Sequence, residues 1–185
     1  MKRYIVCFAC VLAALSVFSS CGEKYIDIEN GNSLNTSMYW KTEEDMNTNL
    51  IAVYNMFYRQ GTWTRNIYTQ LNGMADDGVS YAGWTELNEW TKFKYTNYNF
   101  AEGQAKIWRE HWTAVNRANQ VLDHIDDPNI VFANEQDRLD IKGQALWLRA
   151  FYYYYMVALW DNIPLLLHTS SAGDQPANST PDAIF

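Results

Sequence analysis

Between Asn134 and Trp160 the chain reads NEQDRLDIKGQALWLRAFYYYYMVALW, with no interior proline and with apolar residues on two stripes. Leu139, Gly143, Leu146 and Ala150 form one stripe; Ile141, Ala145, Leu148, Tyr152 and Leu159 form the other. Both follow the spacing of an α-helix. A helix apolar on one stripe can lie on a surface, whereas one apolar on two is sandwiched between neighbours. No other segment restricts the fold so strongly: the chain has to build helical layers, with this helix inside the array. Asn134 is suited to cap its start. Pro164 ends it, and Ile163–Leu167 (IPLLL) reads as extended. The run Tyr152–Tyr155 covers every face, so most of it reads as core or inter-helix packing.

Two further helices precede this one. In KIWREHWTAVNRANQVLDHIDD, Trp108, Trp112, Val115, Leu122 and Ile125 share a face, while Arg109, Glu110, Asn116, Gln120 and Asp123 fall mostly opposite. Asp127-Pro128-Asn129 turns the chain between the two long helices. Upstream, Thr42 and Asp45 have the spacing of a helix cap, followed by Met46, Leu50, Val53 and Phe57 at helical intervals, with fading near Arg59–Gly61. Residues 61–105 differ: Gly61, Gly73, Gly78, Gly83 and Gly103 punctuate scattered aromatics and no period persists. A long irregular segment rich in aromatics is functional rather than disordered. At the far end Thr180, Pro181 and Asp182 announce another helix with only a few residues to form it. The expectation is a first part, or a truncated copy, of a longer protein.

The N-terminus carries Lys2 and Arg3, then the uncharged run Tyr4–Phe18, then Ser19, Ser20 and Cys21. A basic start, a short apolar run and small residues before a cut site describe a secretory signal. The run is short for a membrane span, which takes about 20 apolar residues. Small residues followed by cysteine resemble the lipobox of bacterial lipoproteins, although Phe18 stands where a small aliphatic residue is usual. The resemblance implies removal of residues 1–20, acylation of Cys21 and a membrane-tethered domain over residues 21–185, led by the polar stretch IENGNSLNTS. Cleavage also removes Cys7 and Cys10, leaving no disulfide. It removes two cations and no acid, taking the formal charge from −7 to −9. Such an acidic surface argues against nucleic acid, whose phosphates call for clustered Lys and Arg.

The segment GQALWLRAFYYYYMVALWDNIPLLL resembles the signature of the SusD/RagB family at Gly143, Ala145, Leu148, Arg149, Ala150, Tyr154, Leu159, Asp161, Ile163 and Pro164. WREHWTAVNRANQVLDHI is similar to the preceding family helix, SCGEKYIDI to the lipidated start, and STPDAIF to the start of the next helix. Ala150 and Tyr154 leave a trace of a tetratricopeptide-type helix. The resemblance implies a mostly α fold, a helical array of tetratricopeptide-like hairpins with a long irregular loop segment. It also implies a surface-exposed, lipid-anchored outer-membrane protein of the Bacteroidetes type. Such a protein binds an oligosaccharide or other nutrient beside a TonB-dependent transporter and is not an enzyme.

The segment ADDGVSYAGWTELNEW is the candidate site. A sugar has an apolar C–H face and a hydroxyl rim; Trp or Tyr can stack on the first while Asn or Asp bonds the second. Trp84 comes first and Trp90 second, with Tyr81, Asn88 and Asp77 beside them. The alternative is that Trp84 and Trp90 pack the loop onto the helices. Asp76 and Asp77 are adjacent, so as an extended pair they point apart and suit a turn better than paired acid catalysis. His111, His124 and His168 lack metal-ligand spacing, and no phosphate-cradling or nucleophile motif occurs, so neither metal nor cofactor is expected. A helical protein–protein scaffold and, less favoured, a glycoside hydrolase are the competing readings.

Overall fold

The computed structural model describes residues 39–76, 78–81, 83, 85–94 and 103–185, with the backbone alone for 85–87. The expected signal, Cys21, the tether, Asp77 and Trp84 lie outside the described residues. Along the chain come α1 (Glu43–Tyr54), which runs into a 3-10 turn at Asn55–Tyr58, α2 (Asn66–Gly73), α3 (Thr85–Trp90), α4 (Ala105–His124) and α5 (Glu135–Trp160). Two residue pairs, β1 (Ile163–Pro164) and β2 (Asn178–Ser179), form an antiparallel ribbon before α6 (Pro181–Ile184). The fold is mostly helical, as expected.

α1 starts at a capping box: the Asp45 amide donates to Thr42 Oγ1 at 3.1 Å, and the Thr42 amide to the Asp45 carboxylate at 3.0 Å. Its stripe Met46, Leu50 and Val53 is buried against α4 and α5, which form a helical hairpin. Arg117 on α4 donates to the Ala52 carbonyl at 2.8 Å and ties the hairpin to α1. Asn134 caps α5 by accepting from the Asp137 amide at 2.9 Å. The hairpin turn is held to the start of α1 by the Thr42–Val131 bridge and by the Ala133 amide, which donates to Glu43 at 2.8 Å.

The two stripes of α5 have different fates. Ile141, Ala145, Leu148 and Tyr152 are buried in the core, with Leu159 half-buried. Gly143 and Ala150 are exposed, as are Leu139 and Leu146 at 45 % and 42 %. Trp147 and Tyr154, each 57 % exposed, extend this open face. Among the described residues α5 is therefore covered on one side only. The tyrosine run divides accordingly: Tyr152 and Tyr153 are buried, Tyr155 is half-buried, and Tyr154 faces out.

α4 packs its expected face on the core, with Val115 and Ile125 buried and Trp108, Trp112 and Leu122 partly buried, but its buried surface is wider and takes in Ile107, His111, Ala114, Ala118 and Val121 as well. The small residues Ala114 and Ala118 are fully buried in the core, and small side chains let packed helices approach closely. Glu110, expected on the polar face, is 7 % exposed and accepts from the Gly61 amide at 2.6 Å. Gly61 lies so close to α4 that a Cβ there would come within 2.5 Å of the Lys106 carbonyl oxygen.

The irregular segment holds two short helices that the sequence pattern does not announce. α2 buries Asn66, Ile67 and Gln70, two polar residues in three, so its buried face does not register as apolar. α5 ends at Asp161 rather than at Pro164: Asp161 adopts φ 61° and ψ −92°, and turns the chain into β1. The following residues are pinned to the hairpin. Arg149 donates to Asn119 Oδ1 at 2.8 Å and to the Leu167 carbonyl at 3.0 Å. Asn119 Nδ2 donates to the Leu166 and His168 carbonyls, both at 2.9 Å. Tyr153 Oη meets the Leu166 amide at 2.6 Å. The family-like residues Asn119 and Arg149 thus form a clasp.

Candidate functional site

α3 and the loop before it carry the residues singled out in the sequence. Tyr81 stands almost free of the protein at 94 % exposed, with Val79 at 70 %. An exposed phenol can offer both a ring face and a hydroxyl to a ligand. Asn88 is half-buried on α3. Trp90, the last residue of α3, is 1 % exposed. Its ring lies on Gly103, where any Cβ would overlap it. Trp90 is therefore an anchor that fastens the segment to the start of α4, and its faces are not open for stacking. This corrects its assignment as a second platform; the packing alternative holds for this residue. α3 stops in a turn, with the Phe93 amide donating to the Trp90 carbonyl at 3.0 Å and Phe93 itself at φ 53°.

Beside this segment opens a cavity of about 610 Å³ that sequence reasoning missed. Its wall comes from three places: Gln70, Leu71 and Met74 at the end of α2, Gln104 at the start of α4, and Leu159 and Trp160 in the last turn of α5. Gln70 is 3 % exposed, and its Oε1 is buried with no hydrogen-bond partner among the described residues. Trp160 packs edge-on against Trp108 at 5.1 Å, which fixes the ring. No ionisable side chain lines the cavity among the described residues. A glutamine in a short helix of mixed pattern gives no signal by itself, so the site was not legible from spacing.

His111 is strongly displaced by its surroundings. It is fully buried, with Nδ1 donating to the Ile107 carbonyl at 2.8 Å, and its ring lies 5.6 Å from those of both Trp63 and Tyr152. Burial pushes its pKa down to about 4, so the ring is neutral at physiological pH. It is a core histidine rather than a ligand. His168 instead pairs on the surface with Asp123 at 2.8 Å.

The family described as "Starch-binding associating with outer membrane" (SusD-like_3) matches residues 24–182. A SusD-like protein, P38, of Formosa agariphila is 27 % identical over 157 residues, covering 84 % of this chain and 29 % of that protein. Among solved structures, a SusD superfamily protein from Bacteroides vulgatus superposes with a TM-score of 0.66 at 21 % identity, covering 79 % of this chain and 32 % of the other. A laminarin-binding SusD-like protein superposes with a TM-score of 0.64 at 22 % identity, covering 78 % and 31 % respectively. The chain thus spans under a third of the length of each of these proteins, and the two superpositions agree on the fold.

Proposed function

This chain belongs to the SusD-like family, and on that premise we propose that it is a surface glycan-binding lipoprotein of a nutrient importer. Cys21 carries the lipid that tethers it to the outer membrane, and a TonB-dependent transporter is its partner. It binds an oligosaccharide and does not cleave it. The single observation that carries the reading is the family match over residues 24–182, whose description joins starch binding to the outer membrane. The laminarin-binding fold neighbour and the freely exposed Tyr81, three residues before Trp84 in the sequence, support it.

Trp84 is the stacking platform in this reading, with Tyr81, Asn88 and Asp77 around it. Trp84→Ala is expected to weaken glycan affinity roughly ten- to hundredfold, the loss of about 1–3 kcal/mol of aromatic burial. Calorimetric titration of the full chain, paired with a thermal melt, reads this out. Unchanged binding with a lowered melting temperature would make Trp84 a packing residue and favour the helical scaffold. Palmitate labelling tests the anchor in the same strain: wild type incorporates label, and equal label on Cys21→Ala would refute it.

A further inference from the structure

We propose that the cavity between α2 and the last turn of α5 is a second ligand subsite, and that it takes an uncharged sugar. This rests on the glycan-binding reading and adds to it a place and a substrate class.

The argument is chemical. About 610 Å³ lies within the roughly 300–1,000 Å³ range of small-molecule sites. The wall is apolar at Leu71, Met74 and Leu159, aromatic at Trp160, and polar at Gln70 and Gln104. Carboxamides both donate and accept, which is what a hydroxyl rim requires. Leu71, 44 % exposed, supplies apolar surface for a C–H face. With no Lys, Arg or His in the wall among the described residues, nothing there offsets the desolvation of a carboxylate or sulfate. The described wall therefore favours a neutral glycan over an acidic one. Gln70 is the second observation: its Oε1 is buried and unpaired among the described residues, and a turn of the amide toward the cavity would let a ligand hydroxyl remove the cost of that unpaired acceptor.

The loop at Tyr81 and Trp84 and this cavity are separate in composition, so separate variants address them. Ala158 is exposed in the last turn of α5 and also lines the cavity. Ala158→Trp fills the space from its rim without touching the core. Gln104→Leu keeps the volume and removes the amide. The experiment titrates the full chain by calorimetry with neutral laminari-, malto- and cello-oligosaccharides and with oligogalacturonate, after circular dichroism has shown each variant folded. The expected result is binding of a neutral series only. Affinity falls roughly tenfold or more in both variants, the size of one lost buried hydrogen bond or more.

Binding that is unchanged in Ala158→Trp overturns the subsite; if Trp84→Ala still abolishes that binding, the loop reading survives alone. Loss in Ala158→Trp with full binding in Trp84→Ala upholds the cavity and removes the loop. Preference for oligogalacturonate overturns the substrate class. Absence of binding to every probe by the wild type overturns both readings together.

Discussion

Asp161 sits at the end of α5 with φ 61° and ψ −92°, a region that a residue with a Cβ occupies only under strain. Its carboxylate accepts from Asn162 Nδ2 at 2.7 Å, a bond in solvent that returns little. Asp161→Gly is therefore expected to raise stability by about 1 kcal/mol, and Asp161→Val to lower it, in urea denaturation. A loss with glycine would mean that the local bond outweighs the backbone. His111 makes a second prediction. Its folded pKa, about 4, lies below the ordinary 6.5, so between these values the unfolded chain binds the extra proton. The stability that neutral His111 contributes is complete above about pH 6.5 and falls as the pH drops toward 4, by about 3 kcal/mol in all. Asp126, whose carboxyl the Lys142 hydrogen bond holds low, keeps its contribution above its ordinary 3.8 and loses it only in a lower window. His111→Phe should flatten the upper window and leave the lower one; an unaltered slope would assign the effect elsewhere.

The clasp from α4 and α5 makes the next prediction. Arg149→Met keeps the length of the side chain but leaves Asn119 Oδ1 and the Leu167 carbonyl without their shared donor. A cost of about 2–3 kcal/mol is expected, with faster proteolysis at residues 165–171. Equal proteolysis of variant and wild type would show the segment held by its apolar contacts instead. α1 and α5 were legible in the sequence because their caps and stripes agree: Thr42 with Asp45, Asn134 with Asp137. α4 was legible as a helix, and its face was legible at Val115 and Ile125, but the full width of what it buries was not. Tryptophans dominate a reading by hydrophobicity, yet Ala114 and Ala118 are fully buried while Trp108 and Trp112 are only partly so. α2 was hidden by Asn66 and Gln70, buried polar residues that only tertiary contacts justify. The same blindness hid the cavity, since Gln70, Gln104 and Trp160 come from three distant segments. At the candidate loop, chemistry was legible but accessibility was not: two tryptophans look alike in sequence, and nothing in their spacing says that Trp90 rests on Gly103.

Over the whole molecule the open face of α5 is the feature with the largest consequence for handling. Leu139, Leu146, Trp147 and Tyr154 form a continuous apolar strip. Such strips mark contact surfaces or cause association. The 185-residue chain is expected to associate with rising concentration in light scattering, and Trp147→Glu to reduce this without lowering the melting temperature; a sharp, monomeric and reversible transition in the wild type would contradict it. The clasp carries a different implication. Arg149, Asn119 and Tyr153 grip residues 166–168 by carbonyls and an amide alone. Almost every amino acid offers those atoms, so these bonds hold the segment by its shape and not by its spelling. Leu167, exposed and held there only through its carbonyl, can be respelled while the frame that presents it stays in place, whereas His168 adds a side-chain pair with Asp123. A gene carrying this clasp has a surface open to drift, mounted on a fixed support.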